Sequence, residues 1–295
     1  MLQGDIVIIG AGFAGVWSAL TAQRLINIKK QKLQVVVISP EPILGIRPIY
    51  YEANVTSMVY PLGALFEAAE IHFIQATVTA IDTGDNSVEF QPPSGTDSKI
   101  EYRQLILAAG SKVARPRQVS GTEEFAFDID TISSAGNLES HLERLSSLSP
   151  SPARDTIVIC GGGFAGLELA AELPSRLRNN KSRIVLVESA DEIGPELGSG
   201  PRPAITEALK SLGIEVKLGA AVTGIDADGV RLASGERVET MTAIWTAGMR
   251  ATALTQQISG PRDPDSRLHV DQYLRVPSTA HVYATGDAAY ALADT

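Results

Sequence analysis

The sequence contains one cysteine, Cys160, which excludes both a disulfide framework and an intrachain redox pair. Its four histidines, His72, His141, His269 and His281, are scattered without ligand spacing, so no metal centre is expected. No window approaches the roughly 18 consecutive apolar residues of a membrane-spanning helix. The longest apolar runs, such as IVII (6–9) and VVVI (35–38), are strand-sized. No Lys/Arg cluster stands out against a net charge of −9, which argues against nucleic acid as a partner, because phosphate binding needs concentrated positive charge. No basic region or hydrophobic signal segment precedes the first strand near Asp5, so the expected location is the cytoplasm. A Gly-x-Ser-x-Gly nucleophile motif is also missing. Cys160 itself ends the apolar run TIVIC and reads as a small core residue.

What is present is a repeat. With 295 residues, 44% of them hydrophobic, the chain can form about two domains. In the first half DIVIIG leads into GAGFAG, a helix follows through about Leu25, and LQVVVIS returns as a strand. In the second half DTIVICG leads into GGGFAG, a helix runs through about Leu173, and SRIVLVE returns. Pro174 is expected to end or kink that helix near Leu173. TVTAID (77–82) matches AVTGID (221–226), and each opens a set of short alternating runs separated by turns, SVEF then IEY and VRL then RVE. These read as small antiparallel meanders. Each half then closes with an apolar strand ending in Ala-Gly, at Ala109-Gly110 and Ala247-Gly248. Between the halves, Leu138, Leu142, Leu145 and Leu148 fall at helical spacing and predict a packing helix.

A Gly-x-Gly-x-x-Gly loop between strand and helix lets backbone approach a pyrophosphate and aims free helix N–H groups at its charge. Gly10, Gly12 and Gly15, with Phe13 and Ala14 between them, form the first such loop. Gly161, Gly163 and Gly166, with Phe164 and Ala165, form the second. The end of each following strand should hold a carboxylate for an adenosine ribose. Glu188 meets this in the second half, with no Arg or Lys after it to receive a 2′-phosphate. Two like charges about 4 Å apart repel by roughly 4 kcal/mol at an effective dielectric near 20, so NADH is preferred over NADPH. In the first half the same position is Ser39, and the nearest carboxylate, Glu41, comes two residues late. Near the end, VYATGDAA (282–289) reads as a strand, the Gly286-Asp287 pair and the start of an Ala-rich helix. An Asp there can accept from sugar hydroxyls.

In combination, the two fingerprints, the two Ala-Gly strand ends and ATGD resemble the two-dinucleotide-binding-domain flavoprotein superfamily, over essentially the whole chain. The resemblance implies that the first fingerprint holds FAD, that the second holds NAD(P)H, which Glu188 narrows to NADH, and that Gly286-Asp287 contact the flavin's ribityl chain. The implied fold is α/β, with two Rossmann-like domains that each carry a small meander. The NADH domain, 121–251, would be inserted into an FAD domain made of 1–120 and 252–295. Within the superfamily the chain is most similar to the type II NADH dehydrogenases, on GGGFAGLELAAEL and on IRPIYYEA (46–53). By that similarity Arg47, Pro48 and Tyr51 lie near the isoalloxazine and Glu168 lies at the nicotinamide site.

The implied reaction passes hydride from NADH, stacked on the flavin, to FAD and then electrons to a quinone. Two alternatives stand beside it: a reductase of a small electron-transfer protein of the ferredoxin or rubredoxin type, and a truncated flavin- and NAD-binding module without turnover. Disulfide reduction is excluded, because residues 40–60 lack the cysteine pair that related reductases place there. Members of the resembled family continue beyond the Gly-Asp segment, whereas this sequence stops at Thr295, so a quinone site and a membrane anchor are not expected among its residues. Peripheral contact at the inner face of the membrane is expected only of a longer form, and a homodimer is compatible with the resemblance.

Overall fold

A computed structural model describes residues 2–177 and 182–291. The chain divides into two compact units: residues 1–45, 59–112 and 249–295 in one, and 46–58 with 113–248 in the other.

In the first unit, strand β1 (Leu2–Ile9) leads to helix α1 (Phe13–Ile28) and strand β2 (Val35–Ser39). Strands β3 (His72–Gln75), β4 (Thr77–Asp82), β5 (Ser87–Gln91) and β6 (Ser98–Leu107) follow. The sheet order is β3-β2-β1-β6-β5-β4, with strand Val282–Ala284 added beside β6. β1, β2, β3 and the end of β6 run parallel, whereas β4, β5 and the start of β6 form the antiparallel meander. Parallel strands covered on both faces carry near-continuous apolar runs. All five residues of β2 are accordingly buried. The segments IEY and LIL (105–107), read from the sequence as parts of separate strands, belong to the single ten-residue β6, which stops before Ala109-Gly110. Its first half pairs with the meander and its second half with Val282–Ala284, so one strand serves two partners along one edge.

In the second unit, β7 (Ala126–Phe127) and helix α2 (Ile132–Leu145) precede β8 (Thr156–Cys160), helix α3 (Phe164–Arg176) and β9 (Arg183–Val187). Helix α4 (Arg202–Ser211) and strand β10 (Glu215–Lys217) come next. Strands β11 (Val222–Asp226), β12 (Gly229–Leu232) and β13 (Arg237–Glu239) lead to β14 (Thr242–Trp245). The parallel sheet has the order β7-β14-β8-β9-β10, and β11-β12-β13 form a separate three-stranded sheet. α2 starts with a capping box, in which Thr131 and Ser134 satisfy each other's backbone N–H groups. It buries Leu138 and Leu145, while Leu148 lies beyond its end and is exposed.

Three expectations require correction. α3 does not stop near Leu173 but runs to Arg176. Pro174 lies in its last turn, where it forfeits one backbone donor, and the next turn still closes through Leu177 N–H donating to Leu173 O at 3.0 Å. Gly286-Asp287 open a three-residue 3₁₀ turn followed by strand Ala289–Ala291, not an Ala-rich helix. That strand pairs in parallel with Leu268–Val270, which holds the backbone extended; residues past 291 lie outside the described residues. Residues 46–58, read from the sequence as part of 1–120, group with the second unit instead. Buried Tyr50 and Val55 pack there in a small cluster with Ala135 of α2, and such apolar burial outweighs sequence order.

Candidate functional site

Each unit gathers its chemistry at the C-terminal ends of its parallel strands, where a strand hands over to a helix and backbone groups are free to meet a ligand. In the first unit Gly10 adopts a φ of +104°, and a Cβ there would stand 2.3 Å from Ala108 O. A Cβ on Gly15 would stand 2.0 Å from Gly10 O. Both positions therefore require glycine. Gly12 differs, because nothing lies within 4 Å of a Cβ built on it, which is the clearance that a ligand's phosphates would use. Gly12 also N-caps α1 without any side chain bonding to the free N–H groups. Phe13 is exposed beside it and Ala14 is half-buried.

The second loop repeats this geometry. Gly161 has a φ of +123°, with Ala247 N 2.8 Å from its added Cβ, and a Cβ on Gly166 would stand 1.9 Å from Gly161 O. Gly163 is open and N-caps α3, with φ and ψ of −75° and −173° against −73° and −175° at Gly12. Phe164 and Ala165 are exposed at the mouth. Thr246, unremarked in the sequence, fastens the loop: its hydroxyl donates to Gly161 O at 3.0 Å and lies 3.2 Å from Cys160 O. Ala247 O accepts from the Trp245 indole N–H at 3.0 Å, and Gly248 turns away with a φ of +77°.

Glu188 stands at the end of β9 and is 9% exposed. Its carboxylate accepts from Gly162 N–H at 2.6 Å, from Ala190 N–H at 2.8 Å and from the Ser189 hydroxyl at 3.1 Å. It thus ties the strand end to the glycine loop. A Cβ on Gly162 would come within 3.1 Å of Glu188, which accounts for a fourth glycine in this loop. Ser39 ends β2 in the other unit and is buried, and the residue matching Gly162 is Ala11. Glu41 is exposed beyond the strand end.

In the first unit Ala109-Gly110, just past the end of β6, and the Gly286-Asp287 turn come to the same edge as the first loop, because β6 pairs with β1 and Val282–Ala284 pairs directly with β6. Gly110 and Gly286 adopt φ values of +68° and +63°. The Ser111 hydroxyl donates to Asp287 Oδ2 at 2.6 Å and orients that carboxylate. Ser111 directly follows the Ala-Gly strand end, and that adjacency is the signal that could have identified it.

Arg47, Pro48, Tyr51 and Glu168 all fall in the second unit. Pro48 is exposed, and Arg47 pairs with the Asp130 carboxylate, which also accepts from Val113 N–H at 3.0 Å. Packing around the Glu168 carboxyl raises its pKa even though the residue lies at the surface of α3. The Tyr51 phenol is raised first by burial and then by the charges of Glu168, Glu52 and Glu172. Cys160 is fully buried, and burial pushes its thiol up to about 12, which removes it as a nucleophile at neutral pH. A separate cavity of about 520 Å³ in the second unit, lined among others by Asn54, Glu139, Arg154 and Arg176, includes no residue of either glycine loop. Among the described residues, no three His, Cys, Asp or Glu side chains group as metal ligands, and no helix is long and apolar enough to cross a membrane.

The chain is similar to known proteins over nearly its whole length. Residues 4–295 match the pyridine nucleotide-disulphide oxidoreductase family. An NADH dehydrogenase-like protein of Mycobacterium tuberculosis is 38% identical, with 98% of this chain aligned to 74% of that protein. A type II NADH:quinone oxidoreductase of Staphylococcus haemolyticus is 25% identical over 96% of this chain and 73% of its own length. Among solved structures, NDH2 from Plasmodium falciparum in complex with NADH shares the fold, with a TM-score of 0.81 at 20% identity over 98% of this chain and 65% of that one.

Proposed function

The chain belongs to the pyridine nucleotide-disulphide oxidoreductase family, and from that premise we propose that it is an FAD-dependent NADH dehydrogenase that delivers electrons to a quinone. The observation that carries this reading is the pair of glycine loops in matching backbone conformation, only one of which is followed by an anchored carboxylate. FAD, when bound, supplies the two-electron centre that takes hydride from NADH and gives electrons to the acceptor.

The residues present fit both cofactors. In the first unit Gly10, Gly12 and Gly15 leave backbone clearance and free N–H groups at the start of α1 for the FAD pyrophosphate. Asp287, oriented by Ser111, is the acceptor offered to the hydroxyls of the ribityl chain. In the second unit Gly161, Gly163 and Gly166 do the same for NADH, and Glu188 accepts from the adenosine ribose while repelling a 2′-phosphate. Glu168 and Tyr51 form the titratable pair offered to the nicotinamide side. The raised pKa of Glu168 widens the pH range in which it is a neutral donor. The only cysteine is buried and protonated, so electrons do not pass through a protein dithiol.

The quinone assignment follows the relatives named as quinone reductases, and the absence of a usable thiol argues only against disulfide reduction. The test is an anaerobic visible spectrum of the purified protein before and after one equivalent of NADH, followed by addition of a short-chain quinone or of reducible ferredoxin. A flavin spectrum that NADH bleaches and quinone restores is the expected result. Restoration by ferredoxin alone would move the assignment to a carrier reductase, and a colourless protein would overturn the reading.

A further inference from the structure

The segment 46–58 is tied to the second unit by several independent contacts. Arg47 pairs with Asp130, Asn54 N–H donates to the Glu139 carboxylate at 2.7 Å, and Tyr50 and Val55 are buried against Ala135. The fourth tie reaches α3 itself: Arg176 Nη1 donates to the Tyr51 carbonyl at 2.7 Å. On α3, Glu168, Glu172 and Arg176 recur at every fourth position and so share one face. The Tyr51 side chain packs against the apolar cluster to which α3 contributes Leu169 and Leu173. Its phenol faces charge from Glu168 and Glu172 on that stripe and from Glu52 on its own segment. One face of α3 therefore carries both the acid of the titratable pair and the cation that fixes the backbone of its partner.

We infer that Arg176 is a positioning residue for hydride transfer from NADH: by holding the Tyr51 carbonyl to the end of α3, it keeps the Tyr51 side chain in register with Glu168 two turns earlier. The inference rests on the NADH-to-flavin reading above. Two facts favour this role over simple support of α3. The bond spans 125 residues of sequence and joins two parts of the site, whereas α3 closes its own last turn by backbone bonds. Arg176 is also desolvated, which lowers its pKa, while Glu139 and Glu172 act in the opposite sense and favour its charged form. A charged donor held in partly desolvated surroundings makes a stronger hydrogen bond to a carbonyl than a neutral one.

The test is a kinetic double-mutant cycle on the full chain, reading the rate of flavin bleaching by NADH in stopped flow, with FAD content and circular dichroism as controls. Arg176→Met is expected to slow bleaching about tenfold at saturating NADH with FAD content unchanged, since small misplacements of reacting groups carry losses of this order. Arg176→Lys, which keeps one charged donor, is expected to recover most of the rate. Tyr51→Phe combined with Arg176→Met is expected to be no slower than Tyr51→Phe alone, because Arg176 is inferred to act only through the placement of the phenol that Tyr51→Phe has already removed. Losses that multiply in the double variant, or a wild-type rate in Arg176→Met, would overturn the inference. If Arg176→Met does not fold, the same cycle is read with Arg176→Lys, where multiplying losses overturn it and coinciding losses support it. A wild-type protein that is colourless or not bleached by NADH marks failure of the functional reading instead.

Discussion

The two βαβ repeats use the same loop and finish it differently. Gly12 and Gly163 cap their helices with φ values of −73° and −75°, and Gly15 and Gly166 approach the first glycine's carbonyl equally closely. At the end of the next strand the repeats part. The second has Glu188 bonded to Gly162 N–H, and the first has Ser39 at the strand end and Ala11 at the position matching Gly162. The loop conformation is thus a general device for approaching a pyrophosphate, and the choice of dinucleotide is made by what stands beside it. The meanders part as well. In the first unit β6 continues from the meander into the parallel sheet, whereas in the second β13 and β14 are separate strands. Between them the Thr240 hydroxyl donates to Thr156 O and accepts from Thr242 N–H, which fixes a turn where β6 runs straight.

The strongest way to break the comparison is to disable one loop at a time. Gly15→Ala forces a methyl onto Gly10 O, and Gly166→Ala forces one onto Gly161 O. The first is expected to yield a protein that loses its flavin. The second should remain yellow yet bind NADH at least ~100-fold more weakly, a loss in the range expected when a packed backbone contact is overfilled. Absorbance after gel filtration and an NADH titration separate the two. Equal flavin loss in both variants would contradict the division of labour.

Glu188→Ala comes next in size. It removes the ribose acceptor and leaves Gly162 N–H buried without its partner, at a cost of about 1–3 kcal/mol. NADH affinity should fall and the preference over NADPH should narrow, measured as the ratio of kcat/KM values. Ser39→Ala should leave both unchanged.

A smaller and sharper test grafts the second arrangement onto the first. Ser39→Glu places a carboxylate in a buried position at the strand end that matches Glu188, where the loop has Ala11 in place of Gly162, and a lower Tm is expected. Ala11→Gly with Ser39→Glu removes the methyl so that the carboxylate can reach the backbone N–H at position 11, as Glu188 reaches that of Gly162, so Tm should rise again above that of the single variant. Failure of the glycine to restore it would mean that the loop and strand end are not coupled.

The smallest effect concerns Asp82 and Asp226, the matching ends of β4 and β11. Backbone N–H groups of Asp85 and Gly84 lower the Asp82 pKa, and Arg237 is the first cause of the lowering at Asp226. A carboxylate with a depressed folded pKa contributes stability above its ordinary value of 3.8 and loses it as pH falls through the lower folded value. Asn substitution at either site should therefore flatten the acid limb of a Tm-against-pH curve slightly. Added salt should weaken the contribution of Asp226, which is an exposed ion pair, and leave that of Asp82 unchanged.

Much of the site could be read from the sequence because its parts are local. Gly10 and Gly161 need positive φ, and Gly15 and Gly166 sit where any side chain would strike backbone a few residues away, so the letters alone reveal the loops. Glu188 was legible for the same reason, since it follows its loop by one helix and one strand. Thr246 and Arg176 were not, because each acts on an atom far along the chain, Gly161 and Tyr51, and Ser111 was marked only by its place after Ala109-Gly110, since its partner Asp287 is equally distant. Pro174 misled because the rule against proline applies to a helix interior, and here it stands in the final turn.

By itself the sequence determined that two dinucleotide loops exist, where they lie, and that only the second is followed by a strand-end carboxylate. These follow from steric and charge requirements that act over a few residues. The tertiary structure alone decided that residues 46–58 pack with the second unit, that β6 serves two partners, and that Tyr51 is held to α3 by Arg176. Such choices depend on which apolar surfaces and unpaired backbone groups meet once the chain is compact, and no local spacing records that meeting.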